Sequence, residues 1–225
     1  LIYLILSQLK QIGIFVSTIK KILISLFFAF GTVHLYLSAD GGVWFTSQIF
    51  STLYILISML FILKYFTQVK IEYLTLGGIF FGLSFIGRPT FIFYIIFYLA
   101  LIVIKNYLDK KLLIKHLSVF LMIICIFFVF EGIYNFARFG SIWETGHNFH
   151  NAAAKFTENI QKYGKISVHY IPINLYYLFI NVPQLQEKFP FFDFSSDGNS
   201  ILFTSPLFLL TFILVRRRFW QKKKA

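Results

Sequence analysis

Residues 72–104 read EYLTLGGIFFGLSFIGRPTFIFYIIFYLALIVI, and whether they make one helix or two decides the architecture. About 20 apolar residues cross a hydrocarbon core of roughly 30 Å, so the stretch is long for one crossing and short for two. Arg88-Pro89 interrupts it. Proline brings no backbone donor and biases the preceding residue away from helix, so the chain breaks there, either as a kink or as a hairpin between 72–87 and 90–104. The basic residues decide between the two. With a hairpin, one side of the membrane receives Lys20, Lys21, Lys64, Lys70, Lys105, Lys110, Lys111, Lys115 and the C-terminal run RRRFWQKKK. The other side receives only Arg88, Arg138, Lys155, Lys162, Lys165 and Lys188. Positive charge collects in cytoplasmic loops, so the hairpin is predicted and the C-terminus is expected inside. A single kinked helix would carry the Lys105–Lys115 cluster outside and erase the bias.

The rest of the chain agrees with a membrane setting. It is 58% hydrophobic and 13% charged, with 31 Phe and 13 Tyr in 225 residues, more apolar surface than a soluble domain of that length can bury. The expected fold is all-α: a polytopic transmembrane helical bundle, one domain over 1–225, with six or seven spans. They fall near 2–19, 22–37, 43–63, 72–87, 90–104, 116–136 and 201–215. A long outer loop, 137–200, contains Pro172, Pro183 and Pro190 among many aromatics, a composition suited to a partly folded segment at headgroup level. The net charge of +12 is accounted for by loops facing an anionic inner leaflet, and it is too scattered for a nucleic-acid partner. A lone Cys125 excludes an internal disulfide. The chain opens at Leu1 and is expected to be the C-terminal part of a longer protein.

Candidate residues cluster at the outer ends of spans. Arg88, beside backbone groups freed by Pro89, can clamp a phosphate in bidentate fashion or anchor the hairpin at the headgroups. Glu131, Asn135 and Arg138 share one helix face by their spacing. They read as a buried Glu–Arg pair bridged by an amide, or as a polar wall for a sugar. Arg138 and Glu144 flank FGS at the membrane exit, where Gly140 and Gly146 permit tight turns. Arg138 suits a lipid phosphate; Glu144 suits sugar hydroxyls or acid/base work. Asp40, in ADGG, reads as turn chemistry with a weaker reading as a base. His34 reads as a packed residue, and Asp193, Asp197 and Gly198 read as a turn before the last span. Glu144, His147 and His150 fall three apart but make a poor ligand set, so no metal site is expected; a divalent cation finds no support. No phosphate-binding glycine loop and no GxSxG elbow occur, so no nucleotide cofactor is expected.

Five stretches, ADGGVWFTSQIF (39–50), GLSFIGRPT (82–90), YNFARFGSIWETG (134–146), YIPINLYYLFINVP (170–183) and DGNSILFTSPLFL (197–209), occur in that order. Together they resemble the C-terminal half of bacterial GT-C membrane glycosyltransferases, relatives of the protein O-mannosyltransferases. The resemblance implies transfer of a sugar from a polyprenyl-phosphate donor to a lipid, glycan or protein acceptor. The reaction would take place at the outer face of the bacterial cytoplasmic membrane. It also implies that the principal catalytic carboxylate lies in a first external loop with no counterpart here, leaving Asp40 and Glu144 as weak substitutes. Arg88, Arg138, Glu144, Tyr170 and Asn174 are the expected substrate-binding residues, with Tyr176 and Tyr177 as neighbours. A flippase of lipid-linked sugars and a non-catalytic membrane scaffold are the competing readings.

Overall fold

The computed structural model describes residues 1–146, 154–164, 167–189, 191–195, 197–206 and 209, with backbone alone for 154–158. Contacts divide the chain into two compact units, Leu1–Phe30 with His34–Phe149, and Gly31–Val33 with His150–Ala225.

The first unit is built on α4 (Val43–Gln68) and α5 (Ile71–Gly87). Small residues let the two backbones approach closely. Ser58 donates its hydroxyl to the Gly77 carbonyl at 2.7 Å, and Ser47 does the same to Gly87 at 2.7 Å. A Cβ on Gly77 would press on Ile62 Cδ1 at 2.7 Å, and one on Gly87 would collide with the Ser51 hydroxyl. Glycine and serine at such seams replace side-chain bulk with backbone contact and satisfy their own hydroxyls. The two helices are joined only by Val69 and Lys70, so the turn is tight enough to force Val69 to φ 55. A β-branched residue rarely adopts that conformation.

The paired positions also give directions. α5 runs back along α4, from Gly77 beside Ser58 to Gly87 beside Ser47. It then ends at Gly87; Arg88 is extended, and Pro89–Phe93 makes a 3₁₀ turn into α6 (Tyr94–Asn106). Along α6, Tyr98 reaches the Ile55 carbonyl at 3.4 Å and Asn106 reaches Tyr65 at 2.6 Å, so α6 retraces the direction of α4. The chain therefore reverses at Arg88-Pro89, as the charge pattern predicts. α7 (Lys110–Phe139) turns again and packs on α5: Phe120 meets Phe81 and Phe128 meets Phe85. Its capping residues explain why it overruns the expected 116–136. The Asp109 carboxylate accepts from the Leu112 amide at 2.9 Å, and Gly140 at φ 72 closes the other end. Apolarity alone misses these extra turns. α4 likewise continues to Gln68, past the expected 63.

At the end rich in lysine, a buried polar chain ties three helices. Asn106 Nδ2 donates to Tyr65 Oη at 2.6 Å, and Tyr65 Oη meets His116 Nδ1 at 2.7 Å.

The N-terminal part departs from expectation. The span expected over 2–19 is not one helix: α1 (Ile2–Gln8) passes into a 3₁₀ turn at Leu9–Ile12, and Gly13 at φ 85 stops it. Seven residues rise only about 10 Å. The span expected over 22–37 is broken into α2 (Thr18–Phe30) and α3 (Val33–Asp40), bent by 48°. Among the described residues, three helices are long and apolar enough to cross a membrane: Val43–Gln68, Pro89–Asn106 and Lys110–Phe139. The bent pair would make a fourth. α5, at 17 residues, is shorter. Most of the expected span 201–215 lies outside the described residues.

In the second unit, α8 (Ala154–Tyr163) is followed by a 3₁₀ turn at Val168–Tyr170 and by α9 (Ile171–Phe179). A small antiparallel ladder pairs β1 (Gln184–Leu185) with β2 (Phe192–Asp193), ahead of α10 (Ile201–Thr204). Asp193 thus lies in a strand and not in the turn expected there. Asp197 and Gly198 do form a turn, held by Asn181 Nδ2 donating to the Gly198 carbonyl at 2.6 Å.

A test of the seam follows from Gly82, where a Cβ would fall on the Phe127 ring. Gly82→Ala should destabilise the detergent-solubilised protein by about 1–3 kcal/mol, the usual cost of overpacking. In a Phe127→Ala background the same change should cost under about 0.5 kcal/mol, as expected when the clashing partner is gone. Thermal unfolding of the four proteins measures the coupling.

Candidate functional site

Three chain reversals meet at the end of the first unit opposite the lysines: the start of α4, the end of α5 and the end of α7. Arg88 is the hub. Its Nη2 donates to the Trp44 carbonyl at 2.7 Å, and its guanidinium lies 4.5 Å from the Trp44 ring centroid. Its Nε is buried without a hydrogen-bond partner. A guanidinium held over an indole and hydrogen-bonded to its carbonyl has lost much of its freedom before any anion arrives. Asp40 is at the same end of α4. Its carboxylate accepts from the Gly42 amide at 3.2 Å, with Gly41 at φ 68. That is the turn role expected from the ADGG sequence.

Beside this hub, a cavity of about 650 Å³ opens between the end of α5, Pro89 and the last turns of α7. Phe85, Phe128, Val129 and Phe136 make its walls apolar, and the returning turn at Ile142-Trp143 forms one side. Asn135 Nδ2 donates to the Ile142 carbonyl at 3.4 Å and ties that turn back onto α7. The return is possible because Gly140 and Gly146 adopt φ 72 and φ 87, as the sequence suggested. Glu131 also borders the cavity, and its Oε2 is buried with no hydrogen-bond partner.

The expected brace of Glu131, Asn135 and Arg138 is therefore only partly present. Glu131 and Asn135 share the cavity face, as their spacing requires. Arg138 does not pair with Glu131; its Nη1 donates to Tyr134 Oη at 2.8 Å and its guanidinium lies 5.1 Å from the Phe139 ring centroid. Arg138 is exposed, so its long side chain follows neighbouring aromatics toward solvent and leaves the buried carboxylate behind. Glu144 lies in the returning loop, its amide 3.4 Å from the Ser141 carbonyl. His34 packs its ring 4.8 Å from that of Phe28, as expected.

Tyr170 and Asn174 belong to the second unit. Tyr170 Oη faces the carbonyls of Asn159 at 3.0 Å and Gly164 at 2.8 Å, so its proton is engaged in closing the corner after α8. Asn174 is exposed on α9. Tyr177 Oη donates to Asp197 at 3.2 Å and packs edge-on against Tyr176. His147 and His150 lie outside the described residues, among which no group of three or more His, Cys, Asp or Glu could hold a metal ion. Sequence reasoning missed Trp44 as the partner of Arg88. The two are 44 residues apart, and no local pattern joins them.

Fold and site together define a helical protein with membrane-length helices and an apolar cavity rimmed by a few polar groups at one end. Comparison with protein-family models, curated proteins and solved structures returned no match.

The half-buried Glu131, with its unpartnered Oε2, gives a direct test of the cavity. Replacing an unpaired buried polar group by an apolar one of similar size relieves about 1–3 kcal/mol of desolvation. Glu131→Met should accordingly raise the melting temperature of the ligand-free protein in detergent. A lower melting temperature would show that Glu131 is structurally engaged.

Proposed function

We propose that this protein is a membrane glycosyltransferase that takes a sugar from a polyprenyl-phosphate donor at the outer face of the bacterial cytoplasmic membrane. The acceptor is a lipid, glycan or protein. The observation that carries this reading is the adjacency of Arg88 to the apolar cavity through Pro89: a preorganised cation next to a greasy chamber suits an amphiphile with an anionic head. The order of the five sequence stretches described above supports it independently.

In this mechanism the Arg88 guanidinium, already held over the Trp44 ring, receives the donor phosphate. Its charge counts most as the phosphate leaves and gains negative charge. The isoprenoid chain occupies apolar surface. The sugar meets Glu131, whose unpartnered oxygen accepts from a hydroxyl, and Asn135. Arg138, at the surface, draws anionic headgroups to the same end. The acceptor hydroxyl loses its proton to a carboxylate and attacks the anomeric carbon, breaking the bond to phosphate. Asp40 and Glu144 are weak candidates for that base. No cofactor enters the scheme.

Arg88→Ala in the full-length protein should weaken binding of polyprenyl phosphate by roughly 10-fold or more, the range for loss of a charge-assisted hydrogen bond. Arg138→Ala should have a smaller, salt-sensitive effect, as expected for an exposed charge. Transfer of radiolabelled sugar and binding of polyprenyl phosphate, measured in nanodiscs, test both. Unchanged donor affinity and transfer in both variants would remove the phosphate clamp. Movement of the intact donor across the bilayer without transfer would favour the flippase reading.

A further inference from the structure

Among its described residues the second unit exposes many large apolar side chains, a pattern that marks an interaction surface. On its β-hairpin, Phe189 is 85% and Leu185 80% exposed, and Phe191 and Phe194 are also exposed. Phe191 is additionally held at φ 65, a conformation that a bulky L residue rarely adopts. Its ring packs edge-on against that of Phe189, 5.9 Å between centroids, so the two make one apolar knob at the tip of the hairpin, the kind of exposed patch that marks an interaction surface.

The chain itself indicates which partner. The rings of Phe192 and Phe194 lie 5.8 Å and 6.4 Å from Phe203 in α10. Phe203 sits at the start of ILFTSPLFLLTFILV, fifteen residues without a charge that end at Arg216. The hairpin is therefore packed against the head of a segment with the composition of a membrane crossing. The same module is fastened to α9: the Ser200 amide donates to the Asn181 carbonyl at 2.6 Å, and the Ser200 hydroxyl donates to the Phe179 carbonyl at 2.9 Å. α9 in turn exposes Ile173, Leu175 and Leu178 on several sides. Lys188, exposed beside Phe189, supplies a cation where lipid phosphates would be.

We propose that the hairpin of β1 and β2 is an interfacial anchor that seats Leu185, Phe189 and Phe191 at the boundary between headgroups and acyl chains of the bilayer, with Lys188 at phosphate level. The partner is the lipid surface itself. Aromatic and aliphatic side chains with a flanking cation are the composition that partitions to this zone. The inference rests on the membrane setting of the chain and not on glycosyl transfer. A failure of one leaves the other standing.

Spin-label depth measurement decides it. Single cysteines Leu185→Cys and Phe189→Cys, in a Cys125→Ser background, are labelled in the full chain and reconstituted in phosphatidylethanolamine–phosphatidylglycerol nanodiscs. The expected result is collision with oxygen that exceeds collision with a water-soluble nickel chelate at both sites. Adding Phe191→Glu and Lys188→Glu should shift both labels toward the chelate. Free access of the chelate to both labels would overturn the proposal in favour of a solvated hairpin. Protection from both reagents alike would overturn it in favour of burial against protein. A label at Asn174, scored in parallel, reports whether the α9 module retains its fold in each variant.

Discussion

Close approach of α4 and α5 is the constraint on which the first unit depends. Their seam is lined by Ser47, Ser51 and Ser58 on one side and by Gly77 and Gly87 on the other. Apolar side chains gain little from leaving lipid for a helix interface, so packing and hydrogen bonds between backbones must supply cohesion in a membrane. Gly78 and Gly82 extend the same logic to α7, where Ile123 and Phe127 fill the space that a Cβ would need. The seam also fixes where the chain must turn. With Gly87 locked to Ser47, Arg88 emerges beside Trp44, and the cavity forms where α7 leaves α5.

The two ends of the first unit then differ in kind. At the lysine-rich end, Asn106, Tyr65 and His116 form a continuous hydrogen-bonded chain that binds three helices together. At the other end, polar atoms are left over: Arg88 Nε, Glu131 Oε2 and Ser51 Oγ have no partners. Asn106 Oδ1 in that chain also lacks a partner, so what sets the other end apart is its cavity: unsatisfied groups beside a cavity are where a ligand gains most from binding. The chemistry proposed here uses that asymmetry. It assigns the end tied by the Asn106–Tyr65–His116 chain to structure and the end with the cavity to substrate.

Much of this order is legible in the sequence, for physical reasons that can be named. Proline and the lysine clusters write the reversal at Arg88-Pro89 into the chain, because backbone donors and the membrane's charge asymmetry act locally. The turn at Asp40 and the glycine returns at 140 and 146 are equally local. Other features depend on distant partners. The interruption at Gly13 hides inside an apolar run whose hydropathy alone resembles a span. Arg138 shares a helical face with Glu131, yet its flexible side chain leaves for Tyr134. The pairing of Arg88 with Trp44 depends on the α4–α5 seam, which no periodicity announces.

The central claim is that an anionic polyprenyl lipid occupies the end of the bundle where Arg88 and the Glu131 cavity meet. Photo-crosslinking measures it most directly: a polyprenyl phosphate with a diazirine in its first isoprene units is irradiated with the full-length protein in nanodiscs, and the adducts are mapped by peptide mass. Labelling should concentrate on 85–89, 128–136 and 142–143, and should fall in Arg88→Ala. Adducts spread evenly along α7, or gathered at the Tyr65–His116 end, would contradict the account.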